Sequence, residues 1–164
     1  MDDRLTNWPL FIAQWELEEL PAENVPRIAL QALEAGCDTL AIGILAGLTS
    51  PTRPDVDEEL PRLLREVGVA RPSHQQTLKV VVDHLHRRIV DGDVEAYPGA
   101  CALWSRKSDF TEDPVIWEQI RPFIGAASEW EDDPDHRARY ERDIIAYARS
   151  LLAAGGVMIS TESK

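Results

Sequence analysis

Cysteine is scarce in this chain: Cys37 and Cys101 are the only two in 164 residues, and neither belongs to a C-x-x-C pair or a zinc-ligand spacing. No disulfide framework or structural metal is needed, because 164 residues with 44% apolar side chains can bury one sizeable core unaided. Basic residues are also few. Against 29 Asp and Glu stand 17 Lys and Arg, a net charge of -12 that opposes a broad basic surface for nucleic acid or an anionic membrane. Long apolar runs are missing too, since the longest, Leu40 to Leu48, is about half of what a spanning helix requires. Met1-Asp2-Asp3-Arg4 opens no basic region followed by an apolar one, so no secretory signal is expected. A cytoplasmic protein with thiols buried in a reducing compartment is the expectation.

Catalytic punctuation is absent in the same way. There is no G-x-S-x-G, no H-E-x-x-H and no Gly-rich phosphate loop, so no catalytic residue, metal ligand or cofactor is assigned. Strand-like alternation is nearly missing as well, whereas helix signals are dense.

Asn7-Trp8-Pro9 reads as a cap with proline in the first turn, opening a helix to about Leu20. Pro26 opens a second, ended by Gly36, and Asp38 is placed to cap a third over Thr39 to Leu48. The proline-rich loop 49–54 then separates this helical group from the rest. A fourth helix carries Val56, Leu60, Leu63, Leu64 and Val67, starting near Glu59 or Leu60 because Pro61 suits a first turn. The fifth follows Ser73 with the most regular stripe of the chain, Leu78, Val81, Val82, Leu85 and Ile89. Pro98 begins a short sixth that breaks at Ser108-Asp109. Asp113-Pro114 opens a seventh, bent at Pro122, and Asp133-Pro134 opens the last, up to Gly155-Gly156. The pattern predicts an all-α fold: a single compact domain of about seven or eight helices over residues 1–156, mostly antiparallel neighbours, with a tail over 157–164.

Four constellations carry the functional expectations. Asp83-x-x-His86 and Asp133-x-x-His136 set a carboxylate and an imidazole on one helix face, a di-metal spacing that lacks the further carboxylates such a site needs. Gly43-x-x-x-Gly47 reads as a seat for the close approach of another helix. Trp8, Phe11 and Trp15 form an aromatic stripe that serves either the core or, as an alternative partner face, a dimer. Trp130 lies within a run of carboxylates, Glu129, Glu131, Asp132, Asp133 and Asp135, where an aromatic anchor inside an acidic patch suits a basic protein surface. The plainer reading of that run is a helix start: Asp133 caps, Asp135 favours the positive first turn, and Arg137 and Arg139 pair locally.

The segments "IALQALEAGCDTLAIGILAGL" (28–48), "DGDVEAYPGACALW" (91–104) and "SEWEDDPDHRARYERDIIAYARSLL" (128–152) together resemble a loose group of small acidic all-helical uncharacterised bacterial proteins, some of them similar to toxin-immunity proteins. The resemblance covers about half of the chain and implies a bacterial, helical, non-enzymatic protein. Joined to the charge, it leads to an acidic protein-binding protein, of immunity type, that covers the active surface of a basic toxin. Glu129, Trp130, Glu131, Asp132 and Asp135 are the expected contacts, no nucleic acid or membrane is bound, and a homodimer is a further option. The competing reading is a helical enzyme or small-ligand-binding domain whose pocket gathers His84 or His86 with Asp83, Tyr97, Trp104 and Arg121.

Overall fold

The computed structural model describes residues 7–158. Among them are nine α-helices and two short 3-10 turns, with no strand, so the chain is all-α. It groups into two compact units, Met1–Ser73 and His74–Lys164.

The first unit contains α1 (Trp8–Glu16), a 3-10 turn (Ala22–Asn24), α2 (Val25–Glu34), α3 (Leu40–Gly47) and α4 (Arg53–Val67). Asn7 caps α1 by accepting from the Leu10 N–H at 3.2 Å. The helix stops at Glu16 rather than near Leu20, because Glu18 takes a left-handed φ of 58° and the Glu19 and Leu20 N–H groups turn back onto the Gln14 carbonyl. Thr39, not Asp38, caps α3 through its hydroxyl and the Ile42 N–H. Helix α4 begins at Arg53, well before Glu59. The Thr52 N–H and hydroxyl both donate to the Asp55 carboxylate, at 2.7 and 2.6 Å, which fixes the start and holds the Asp55 carboxyl below its usual range. Pro61 therefore lies inside the helix, on its exposed side.

α2 packs on α3 and α3 on α4. Val56, Leu60, Leu63 and Leu64 of α4 join Phe11, Ile12, Trp15, Val25, Ile42 and Leu45 in one core. That burial moves the boundary from loop 49–54 to Ser73, since cutting at the loop would expose the whole apolar stripe of α4.

The second unit contains α5 (His74–Asp91), α6 (Ala96–Ser105), α7 (Lys107–Thr111), α8 (Pro114–Asp132), a 3-10 turn (Pro134–His136) and α9 (Arg137–Ala153). Helix α6 starts two residues before Pro98, and the break falls at Arg106, leaving Ser108 and Asp109 inside α7. Asp113 caps α8 from a buried position, accepting from Val115 N–H at 2.8 Å and Ile116 N–H at 3.3 Å. α8 packs on α6, α7 and α9, and α9 also on α5. Leu78, Val82, Ile89, Leu103, Phe110, Ile116, Ile120, Phe123, Ile144 and Ala148 form the core. Where α6 meets α5, a Cβ at Gly99 would stand 2.6 Å from Ile89 Cδ1, so any other residue there requires the Ile89 side chain to shift.

The α5 stripe is rotated from its expected register. Thr77, Asp83 and His86 are buried with Leu78, Val82 and Ile89, whereas Val81 and Leu85 are only half-buried. The last helix starts at Arg137, after the 3-10 turn. Of the expected tail, Val157 is buried, Met158 is exposed, and 159–164 lie outside the described residues.

Candidate functional site

The acidic run spans the end of α8 and the turn into α9. Trp130 stands in the last turn of α8. Its ring stacks on Tyr97 of α6 at 3.8 Å between centroids and 12° between planes, and the Arg137 guanidinium lies 3.9 Å from the same centroid. Two groups that close must occupy opposite faces of the indole. Its Nε1–H donates to Glu141 at 3.1 Å, and its carbonyl accepts from Arg137 Nε at 3.1 Å. The indole therefore staples α6, α8 and α9 together, and both of its faces are covered from within. Trp130 is half-buried, with both faces of its ring occupied by its own chain.

Glu131 is likewise engaged. The Tyr97 hydroxyl donates to its Oε1 at 2.6 Å, and this bond to a carboxylate raises the phenol well above its ordinary range. Asp133 does not cap through a side-chain bond. It accepts from His136 Nδ1 at 2.8 Å and from the Tyr140 hydroxyl at 3.1 Å, and the His136 bond, foremost, holds its carboxyl below the usual range. Arg139 reaches Asp143 at 3.8 Å. Arg137 and Arg139 are thus committed to Trp130 and Asp143. Glu129, Asp132 and Asp135 remain exposed, and their carboxylates make no side-chain hydrogen bond or ion pair among the described residues.

Placement makes those carboxylates unusual. Glu129, Glu131 and Asp132 fall in the last turn of α8, which holds no basic residue, so they face the negative end of the helix dipole. Of the plainer reading of the run, Asp135 in the first turn of the 3-10 segment and the local pairing of Arg139 hold.

The aromatic stripe of the first unit is core. Phe11 and Trp15 are buried, Trp8 meets Phe11 edge-on at 5.7 Å, and the Trp15 indole donates to Asp57 at 2.8 Å beneath the Arg53 guanidinium. Phe11 and Trp15 thus follow the core reading of the stripe, and Trp8 is half-buried beside them. Gly43 and Gly47 are exposed, and a Cβ on either would touch nothing within 4 Å, so they seat no helix. Both cysteines are half-buried and free.

Arg121 is exposed and paired with Glu118 at 2.9 Å, Tyr97 lies on Trp130, and Trp104 and His84 are half-buried. His86 stacks on Phe123 at 4.7 Å, and burial pushes its pKa down to about 4. Asp133 and His136 bond to each other, and no group of three or more ligating side chains able to hold a metal occurs among the described residues.

Asp83 anchors a second polar centre that the sequence hid. Its carboxylate accepts from Lys79 Nζ at 2.8 Å and from the Val157 N–H at 2.7 Å. The Lys79–Asp83 spacing of four is legible in a helix, but the partner 74 residues away carries no local signal. Compared with family models, curated proteins and solved structures, the chain matches none.

Proposed function

We propose that the chain is a protein-binding protein whose acidic edge, Glu129, Asp132 and Asp135 with Glu131 beside them, docks a basic surface of a partner protein. In its specific form the reading is an immunity-type protein of the cytoplasm, covering the active surface of a basic toxin. The observation that supports it is the placement of carboxylates in the last turn of α8, with no basic residue in that turn. Glu129 and Asp132 there oppose the helix dipole, so a role outside the fold accounts for them better than local stability does. The net charge of -12 acts in the same direction, steering a cationic partner toward the chain. Trp130 enters as a strut that holds this edge in place rather than as the anchor.

Affinity capture with the wild-type chain beside Glu129→Lys/Asp132→Lys/Asp135→Lys tests the reading. A basic protein is expected on the wild type and lost from the variant, with an association rate that falls as salt rises. Equal retention by both chains, or association indifferent to salt, overturns it.

A further inference from the structure

Helix α4 ends at Gly68, whose left-handed φ of 70° lets the Val69 N–H return to the Leu64 carbonyl at 3.0 Å. That turn brings Arg71 beside α4. Between them lies a cavity of about 410 Å³, lined by Arg53, Asp57, Leu60, Pro61 and Leu64 of the helix and by Arg71. Arg53, Asp57, Leu60 and Leu64 follow at steps of four, three and four residues, which is one face of a helix. Leu60 and Leu64 are core residues that reach this face, and the Pro61 ring is exposed beside them, so the floor is apolar.

Two cations and one anion line the cavity, the reverse of a chain with 17 basic and 29 acidic residues. Both guanidiniums are fixed from behind by the last turn of α1. Arg53 lies 4.5 Å from the Trp15 ring centroid and donates through Nη2 to the Trp15 carbonyl at 2.9 Å. Arg71 turns Nε and Nη2 to one oxygen of Glu16, at 3.0 and 2.9 Å. The Glu16 side chain is 24% exposed against 64% for Arg71, so the charge offered to solvent is the guanidinium. Nη1 of each arginine makes no hydrogen bond among the described residues. Asp57 is engaged within the wall: the Trp15 indole donates to Oδ1 at 2.8 Å, and Arg53 Nε stands 3.8 Å from Oδ2. Guanidinium donors left over above an apolar floor match a carboxylate carried on an apolar body. An inorganic anion would leave the floor unused, and a wholly apolar molecule would cover the arginine donors without giving them an acceptor.

We propose that this cavity binds a small organic acid, its carboxylate on Arg53 and Arg71 and its apolar body over Leu60, Pro61 and Leu64. The inference does not rest on the acidic edge, which belongs to the second unit.

The test titrates the full chain with hexanoate, acetate, hexylamine and inorganic phosphate at constant ionic strength, following the Trp15 indole N–H by NMR. That proton is bonded to Asp57 in the cavity wall, so hexanoate should shift it saturably. The hexanoate Kd should lie at least ~10-fold below those of acetate and phosphate, because the apolar body adds burial, and hexylamine should leave the signal in place. Arg71→Gln removes a charge-assisted donor and should raise the hexanoate Kd about 10-fold. Pro61→Glu sets a carboxylate on the exposed rim while replacing proline by a better helix former, so it should weaken hexanoate binding with the helical spectrum intact. Hexanoate that binds no tighter than acetate or phosphate would reveal a surface ion contact only. That result, equal binding of hexylamine, an affinity unchanged in both variants, or no saturable shift in the wild type would each overturn the proposal.

Discussion

At the scale of the residue, His86 is a costly side chain of the second unit. It has no exposed surface, lies flat against Phe123 at 13° between planes, and neither ring nitrogen has a hydrogen-bond partner. Burial disfavours the imidazolium and pushes the pKa down to about 4, against a smaller upward pull from Asp83. The folded chain therefore keeps His86 neutral where the unfolded chain, titrating near 6.5, binds a proton. Stability from this residue is fully present above pH 6.5 and is lost as pH falls toward 4, by up to about 3 kcal/mol. His86→Phe keeps the ring stack and removes the titration, so urea unfolding of the variant should lose much of its slope in that interval and its stability at pH 5 should rise. An unchanged slope would assign the acid sensitivity to other groups. Little of this was legible beforehand. Asp83-x-x-His86 reads as a ligand pair or as surface, and burial of both residues depends on how far α5 rotates toward its neighbours, which apolar periodicity fixes only to within one position.

Among the elements, the helix starts that rest on a short side chain were the most legible, because the cap and the N–H groups it serves lie within three residues. Asn7 and Asp113 show this. Asp113→Ala should cost about 1–2 kcal/mol, toward the upper end because the cap is buried and both N–H groups would lose their acceptor. Urea unfolding read against the wild type checks it, and a loss below about 0.5 kcal/mol would mean that water replaces the carboxylate. Helix α4 was misplaced because Pro61 is a strong local stop, yet the Thr52–Asp55 pair and four buried aliphatic residues outweigh it. The acidic turn of α8 was assigned to the wrong helix end. Asp133-Pro134 is a valid start signal, but a 3-10 turn intervenes, and the carboxylates before it belong to the preceding helix.

For the whole molecule, charge is the dominant quantity. Glu129→Lys/Asp132→Lys/Asp135→Lys halves the net charge from -12 to -6, each reversal changing it by two, and removes two acids from the negative end of α8. The variant should unfold at a higher urea midpoint than the wild type at low salt, with the gap at least halved between about 20 mM and 0.5 M NaCl as screening takes over. A lower midpoint would mean that these carboxylates stabilise the fold, and the case for their role in binding would weaken. Amino-acid sequence alone determined the all-α class and the acidic balance, since periodicity, caps and composition are local or summed properties. Tertiary structure alone decided that the units divide at Ser73, that Trp130 is enclosed by Tyr97 and Arg137, and that Val157 closes on Asp83. Each depends on contacts between residues far apart in sequence, or on which of two faces a helix turns inward, and neither is written in any local pattern.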